Sequence, residues 1–135
     1  MLSYLDLIQD DINTMFKNKD KYYQNEVPYK TRCIDSNNIL KKYPNYVPVI
    51  INTTEDIHLK KRKFLVPGDI YSYALIHYIK KFTNHPDKAI FLFYNNIILD
   101  NLQTISEKYD HYKLKNNNGD DKYFYLELYF ENTFG

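Results

Sequence analysis

The chain has 135 residues and a net charge of +1, which fits one compact domain. Its single cysteine, Cys33, excludes a disulfide framework within the chain and fits a reducing compartment. The first ten residues lack the basic and apolar regions of a signal peptide, and no run approaches the ~18 apolar residues of a spanning helix, so we expect a soluble intracellular protein.

Residues 1–18 contain the first predicted element, an amphipathic helix. Leu5, Ile8, Ile12 and Met15 recur at intervals of three and four residues, the spacing of one helix face. The opposite face carries aspartates, which an anionic membrane repels. We therefore expect this extension to pack on the main domain or on a partner, with a membrane-surface helix as the alternative.

Residues 19–46 are predicted to be a helical region, with one helix from Tyr29 to about Lys41 and a break at Pro44. The β-branched run 47–51 then predicts a strand. Pro48 within that run indicates a strand end or a sheet edge.

Residues 62–66 predict a second strand, which stops at Pro67 and Gly68. Asp69 is a natural N-cap for a long helix. The apolar stripe of that helix comprises Ile70, Ala74, Leu75, Tyr78, Ile79 and Phe82.

Residues 89–94 form an almost continuously apolar run, typical of a strand covered on both faces. The remaining predicted elements are a turn at 95–96, a short strand at 97–99, a small helix covering Leu102, Ile105 and Tyr109, a loop at 113–122 and a last strand at 123–130. The order ββαβ(β)αβ predicts an α+β ubiquitin-like β-grasp domain over residues 47–135.

Positive charge is concentrated in the middle of the chain. Residues 41–82 carry eight Lys or Arg and three Asp or Glu, whereas residues 83–135 carry five and eight. We therefore expect an acidic partner on the middle segment. The low net charge disfavours nucleic acid as that partner.

Four blocks in the same order resemble the GABARAP/light-chain-three family of autophagy modifiers. KYPNYVPVI at 42–50 resembles the family's KYPxRVPVI, and KRKFLVP at 61–67 resembles KKKYLVP. FLFYNN at 91–96 is similar to FFFVNN, and ENTFG at 131–135 is similar to the aromatic-Gly tail. The resemblance covers roughly residues 22–135.

The resemblance implies a ubiquitin-like modifier that works through Gly135 without a cofactor or metal. Its C-terminal carboxylate would be adenylated, passed as a thioester between activating and conjugating enzymes, and joined to phosphatidylethanolamine. A processing and delipidating cysteine protease would be a further partner. The protein would be cytoplasmic, and bound to autophagosome or other vesicle membranes when lipidated. Whether residues beyond Gly135 were trimmed stays open.

The resemblance also implies capture of aromatic-x-x-aliphatic peptides from cargo receptors and adaptors, by addition to an edge strand. The aromatic pocket would comprise Asp35, Ile39, Pro48, Lys61, Lys63, Leu65 and Tyr123. The aliphatic pocket would comprise Phe64, Val66, Pro67, Ile70, Leu75 and Tyr78. The chain departs from the family at Tyr46 and Phe82, where relatives carry Arg, and at Tyr78, where they carry Leu.

Two other interpretations stay open. A β-grasp adaptor that binds peptides without being conjugated would share the same pockets. An enzyme with Cys33 as a nucleophile would need a histidine partner, but no local signature supports such a pair. The candidate histidines are His58, His77, His85 and His111.

Overall fold

The computed structural model describes residues 21–54, 57–116 and 119–131. Helix α1 spans Tyr23–Glu26 and helix α2 spans Tyr29–Lys42. The predicted helix from Tyr29 is therefore confirmed almost residue for residue. The amphipathic helix predicted in residues 1–18 lies outside the described residues.

The rest of the described chain forms a five-stranded sheet and two further helices. Their bounds are β1 Tyr46–Asn52, β2 Lys63–Pro67, α3 Ser72–Lys80, β3 Ile90–Tyr94, β4 Ile97–Ile98, α4 Ile105–Asn116 and β5 Phe124–Phe130. The strand order is β2-β1-β5-β3-β4. Strands β1 and β5 pair in parallel at the centre, and the other neighbours are antiparallel. This arrangement confirms the predicted α+β β-grasp fold.

Strand β1 is covered on both faces because its side chains alternate between two clusters. Val49 and Ile51 belong to the main core, which also contains buried residues of α3 and α4. Ile50 points to the other face, where it packs with Tyr23 and Tyr123 in a second buried cluster. The N-terminal helices and the sheet therefore share an apolar interface of their own.

Pro48 lies near the start of an internal strand, so of the two predicted positions the strand end is correct and the sheet edge is wrong. It is opposite Leu65 of β2. Pairing of β1 with β5 begins only at Val49. A residue without an N–H is therefore placed where the strand has a single neighbour.

Asp69 does not cap α3, which is a correction of the predicted helix start. Helix α3 begins at Ser72 with Tyr71 as its N-cap residue. The carbonyls of Gly68 and Ile70 instead accept hydrogen bonds from the N–H groups at the start of α4, at 2.9 and 2.8 Å. These long-range bonds hold the chain before Ser72 in a non-helical path.

The predicted stripe of this helix is partly wrong at both ends. Ile70 precedes α3 and Phe82 follows it, although both still pack against the main core. Leu75 and Ile79 are buried as predicted, whereas Tyr78 is 45% exposed. The helix therefore buries a narrower face than the sequence pattern indicated.

Two further expectations are corrected in the second half of the chain. Strand β3 buries only alternate residues, and Phe91 and Phe93 on its other face are half-exposed. Helix α4 extends to Asn116, into the predicted loop at 113–122. Leu102 is 85% exposed and precedes that helix. The Asn95–Asn96 turn is confirmed, with φ of 45° and 68°.

Gly68 lies where the connection after β2 crosses the first turn of α4. Its N–H donates to the Asn45 carbonyl at 3.1 Å. A Cβ placed on Gly68 would lie 2.9 Å from the Ser106 Cβ and 3.1 Å from the Asn45 carbonyl oxygen. Neither of these atoms can rotate away. The crossing therefore requires a residue without a side chain.

Replacement of Gly68 by alanine should lower the free energy of unfolding by about 1–3 kcal/mol, the usual cost of overpacking. Urea denaturation monitored by tyrosine fluorescence measures this loss. Asp69→Ala, an exposed neighbour in the same turn, is the matched control and should change stability by less than ~0.5 kcal/mol. Equal midpoints for Gly68→Ala and the unmodified chain would contradict the close crossing.

Candidate functional site

Strand β2 forms one edge of the described sheet. It pairs with β1 from Lys63 opposite Ile50 to Pro67 opposite Tyr46. Its side chains alternate between buried and exposed, so Phe64 and Val66 point into the core. An edge strand presents backbone N–H and C=O groups that another extended chain can pair with. The residues on both faces of β2 are therefore the candidate recognition groups.

One face of β2 lies beside the second buried cluster. Tyr23, Ile50 and Tyr123 form this cluster, with Ile39 packed against it. The Lys63 ammonium lies 4.9 Å from the Tyr23 ring centroid and 6.0 Å from that of Tyr123, within cation–π range. The structure thus brings a cation above a floor of aromatic rings.

Most of the predicted aromatic-pocket residues lie in this region. Pro48 and Leu65 are register partners on β1 and β2, and Leu65 is 40% exposed. Asp35 lies on α2, close enough for its charge to act on Tyr123. Burial is the largest cause that raises the pKa of the Tyr123 hydroxyl, followed by Tyr23 and then by Asp35. The name 'aromatic side of the β2 edge' is used below for Asp35, Ile39, Pro48, Lys63, Leu65 and Tyr123, with Tyr23 and Ile50 added.

Sequence reasoning missed Tyr23 and Ile50 on the aromatic side. The Tyr23 N–H donates to the Asn52 side-chain oxygen at 3.0 Å. Asn52 in turn donates to the Gln24 side-chain oxygen at 2.8 Å. These two bonds help to fix α1 on the end of β1, and this long-range docking brings Tyr23 to the site. No local pattern in residues 17–30 distinguishes this tyrosine from its neighbours.

The opposite face of β2 is rich in aromatic rings. Phe64 makes edge contacts with Tyr78 and Phe82 at centroid distances of 5.9 and 5.4 Å, and Tyr78 and Phe82 lie 5.4 Å apart. The Lys61 ammonium lies 5.0 Å from the Phe64 centroid and 5.7 Å from that of Phe82. We call these residues, together with Val66, Ile70 and Leu75 of the predicted pocket, the aliphatic side, after the ligand group predicted for it.

This geometry changes two expectations for the predicted pockets. Lys61 was grouped with the aromatic pocket, but its ammonium lies over rings of the aliphatic side. Phe64, Val66 and Leu75 are at most 3% exposed, so they serve as the floor rather than as accessible walls. Of the residues predicted for this pocket, Ile70 and Tyr78 remain accessible. Pro67 shares the exposed face of β2 with Lys63 and Leu65.

Phe82 contributes to the aliphatic side although sequence reasoning did not place it there. The resemblance drew attention to this position, where the family pattern implies Arg and this chain has Phe. The Phe82 and Tyr78 rings make an edge contact at 5.4 Å, so two aromatic rings lie side by side on this part of the edge.

The residues considered for catalysis lie in separate environments. Cys33 is half-buried on α2, His85 packs on Phe130 and His111 packs on Tyr112. Within residues 21–54, 57–116 and 119–131, no group of three or more His, Cys, Asp or Glu is placed to hold a metal ion. In the same part of the chain, no helix has the length and apolarity to span a bilayer.

Strand β5 carries the chain toward its C-terminal end. It ends at Phe130, and the Glu131 N–H donates to the Ala89 carbonyl at 2.8 Å. This bond anchors the last described residue to the sheet beside β3. Gly135, the predicted site of lipid attachment, lies outside the described residues.

Comparison with known proteins identifies similar chains. Residues 31–135 match the model of a family described as autophagy protein Atg8, ubiquitin like. The Atg8 of Kluyveromyces marxianus is 35% identical over 117 residues, which cover 84% of this chain and 90% of the relative. Atg8d of Arabidopsis thaliana is 31% identical over 117 residues, with 84% and 93% covered.

Solved structures of similar fold belong to the same group. The crystal structure of Trypanosoma brucei ATG8 aligns with a TM-score of 0.70 at 22% identity, over 84% of this chain and 97% of the other. Plasmodium falciparum Atg8, solved in complex with a Plasmodium falciparum Atg3 peptide, aligns with a TM-score of 0.62 at 27% identity, over 78% and 93%.

Proposed function

Because the chain belongs to the Atg8 family of ubiquitin-like autophagy proteins, we propose that it is a modifier joined through Gly135 to phosphatidylethanolamine on autophagic membranes. The observation that carries the proposal is a family match that continues to Gly135. We assign residues 47–135 as the modifier domain, with residues 19–46 supplying part of its peptide-binding surface. Residues 1–18 form an extension before it.

The proposed reaction uses the Gly135 carboxylate. ATP converts it to an acyl-adenylate with release of pyrophosphate. A cysteine thiolate of an activating enzyme then displaces AMP, and exchange with a conjugating-enzyme cysteine preserves the thioester. The amine of phosphatidylethanolamine attacks the thioester carbonyl, loses a proton and expels the thiolate, which leaves an amide. Glycine leaves that carbonyl free of side-chain obstruction.

Reconstitution tests this reaction with the full chain. Incubation with activating and conjugating enzymes of the Atg8 pathway, ATP and liposomes that contain phosphatidylethanolamine should produce a lipid-shifted band. Liposomes of phosphatidylcholine alone are the control, since they offer no primary amine. A chain that never shifts, in a mixture that lipidates the Kluyveromyces marxianus relative, would leave only the adaptor interpretation.

We further propose that the β2 edge captures aromatic-x-x-aliphatic peptides. An added strand presents alternate side chains to opposite faces, so residues three apart in the ligand meet the two sides of β2. The exposed Leu65 and the Lys63 ammonium suit an aromatic side chain with a nearby acid. The Plasmodium falciparum relative was solved with an Atg3 peptide, and we propose an Atg3-type conjugating enzyme as one ligand.

Cargo receptors and adaptors with such motifs, and a processing cysteine protease, complete the proposed partners. The two aromatic rings on the aliphatic side should favour ligands whose aliphatic residue packs against ring edges. Membrane attachment would come from the lipid, because amide-linked phosphatidylethanolamine supplies two acyl chains. The unconjugated pool would be cytoplasmic, and the lipidated pool would be on autophagosomes or other vesicles.

Replacing Lys63 and Leu65 together by alanine should weaken binding of an aromatic-x-x-aliphatic peptide at least tenfold. The pair removes a cation and an apolar contact from the aromatic side, and one lost anchor of about 1.5–3 kcal/mol exceeds the 1.4 kcal/mol of a tenfold change. Isothermal titration calorimetry measures the change.

The matched control for this pair is Lys60→Ala with Leu102→Ala. It removes the same two side chains from exposed positions outside β2. The control should bind as the unmodified chain does. Unchanged affinity of the Lys63 and Leu65 variant, or equal losses of affinity in both double variants, would show that the peptide does not bind at the β2 edge.

A further inference from the structure

The N-terminal segment contains a peptide that matches the specificity proposed for the chain's own β2 edge. Tyr4-Leu5-Asp6-Leu7 is an aromatic-x-x-aliphatic sequence, and Asp10 and Asp11 follow it. We propose that this segment occupies the β2 edge of its own chain and competes there with partner peptides, an inference that rests on the peptide capture proposed above.

The spacing alone would carry little weight, since the chain has 23 aromatic residues, 15 Tyr and 8 Phe. Position distinguishes the N-terminal copy from the others. The other copies in the chain lie in strands, in α3 or across the β3–β4 turn, where their backbone already belongs to the fold: 46–49, 73–76, 94–97, 123–126 and 125–128. Residues 4–7 precede every described element, so none of the described strands, helices and turns contains this copy.

The tether starts beside the proposed docking site. The Lys21 carbonyl accepts a hydrogen bond from the Arg62 guanidinium at 3.2 Å, and Arg62 immediately precedes β2. Residues 8–20 separate the motif from Lys21. Thirteen residues would span roughly 20 Å as a random coil, and about as far if residues 8–15 were helical at about 1.5 Å per residue and residues 16–20 were coil. A five-residue strand is about 17 Å long. The motif therefore reaches any position along β2.

The charges of the segment and of its site are complementary. Residues 1–16 carry Asp6, Asp10 and Asp11 and no Lys or Arg. The exposed residues Lys61 and Lys63 lie at the start of the β2 edge, one above each set of rings. An acidic segment tethered next to two cations is attracted to them before any apolar contact forms.

The motif also fits the two-sided geometry of the edge. In an added strand, Tyr4 and Leu7 point to opposite faces because they are an odd number of residues apart. They would therefore meet the aromatic and aliphatic sides of β2. Only residues 4–7 must be extended, which leaves the helical spacing of Ile8, Ile12 and Met15 available for a following helix.

Tethering sets the size of the expected effect. A short linker gives an effective concentration of about 1 mM. For a motif with a Kd of about 100 µM, such a concentration occupies roughly 90% of the sites and lowers the apparent affinity for an external peptide about tenfold. Removal of the Tyr4 and Leu7 side chains should therefore raise the affinity for an external peptide about tenfold, although β2 itself is unchanged.

The test compares peptide affinities of full-length chains. In calorimetry, Tyr4→Ala with Leu7→Ala should bind an external aromatic-x-x-aliphatic peptide about tenfold more tightly than the unmodified chain. A synthetic peptide of residues 3–11, added to this double variant, should displace the external peptide. That displacement should be lost when Lys63→Ala and Leu65→Ala are combined with it.

The matched control is Ile8→Ala with Ile12→Ala, which removes apolar side chains outside the motif. It should leave the affinity for the external peptide unchanged. A gain confined to this control would assign the masking to a helix and overturn our proposal.

Equal affinities of all three chains would also overturn the proposed masking while leaving peptide capture intact. No binding by any chain would refute peptide capture itself. Masking that rises with protein concentration, with dimers in sedimentation, would make a second copy the occupant.

Discussion

Deletion of Gly135 is expected to abolish transfer of the chain to phosphatidylethanolamine. The chain would then end in Phe134, whose Cβ and ring stand directly beside the carboxylate that must be adenylated and later attacked by the lipid amine. Displacement of a reacting group by about 1 Å costs on the order of a hundredfold in rate. The rate of transfer to phosphatidylethanolamine should therefore fall at least a hundredfold, and the product should be undetectable in a gel-shift assay.

Mass spectrometry makes the prediction specific to one atom. No Lys or Arg follows Lys122, so trypsin releases residues 123–135 as a single peptide. In the lipidated product this peptide should carry the phosphatidylethanolamine mass on Gly135. Thr133→Ala is the matched control, because it alters the tail and keeps the terminal residue. A lipid-shifted band from the deletion variant would show that the linkage forms elsewhere.

The parts of this fold that sequence reasoning predicted are those with local signals. The runs at 47–51 and 89–94 are apolar and β-branched or aromatic over a full strand length, and both became strands. Asn95 and Asn96 tolerate positive φ and form the predicted turn. In each case neighbours in sequence determine the conformation.

The errors have a long-range cause. Asp69 has the right chemistry for a cap, yet hydrogen bonds from α4 to the Gly68 and Ile70 carbonyls delay the helix. The same holds at the candidate site. Tyr23 reaches the aromatic side through long-range contacts, among them the hydrogen bond that its N–H donates to the Asn52 side chain on a strand distant in sequence.

A buried ionic network holds α2 to the start of β5, next to Tyr123 of the aromatic side. Asp121, with 4% of its side chain exposed, lies 3.1 Å from the guanidinium of Arg32. The Tyr125 hydroxyl donates to the same carboxylate at 2.6 Å, and the Tyr123 N–H donates to its other oxygen at 3.1 Å. Burial raises the pKa of Tyr125, and the bond to Asp121 raises it further. The tyrosine therefore stays a donor at neutral pH.

Asp121→Asn should lower the free energy of unfolding by about 3 kcal/mol, a large share of the 5–15 kcal/mol typical of a domain. Asparagine keeps an acceptor for the Tyr123 N–H but leaves the Arg32 guanidinium, only 13% exposed, without its counter-charge. Urea denaturation measures the loss.

Asp120→Asn, an exposed neighbour, should cost less than ~0.5 kcal/mol. Adding Arg32→Met to Asp121→Asn should recover more than half of the lost stability, because an apolar side chain needs no partner. If the double variant is no more stable than Asp121→Asn alone, the loss comes from hydrogen bonds to the carboxylate and not from the buried charge. In that case Asp121 and Tyr125 hold Tyr123 in position, and the charge of Arg32 does not contribute.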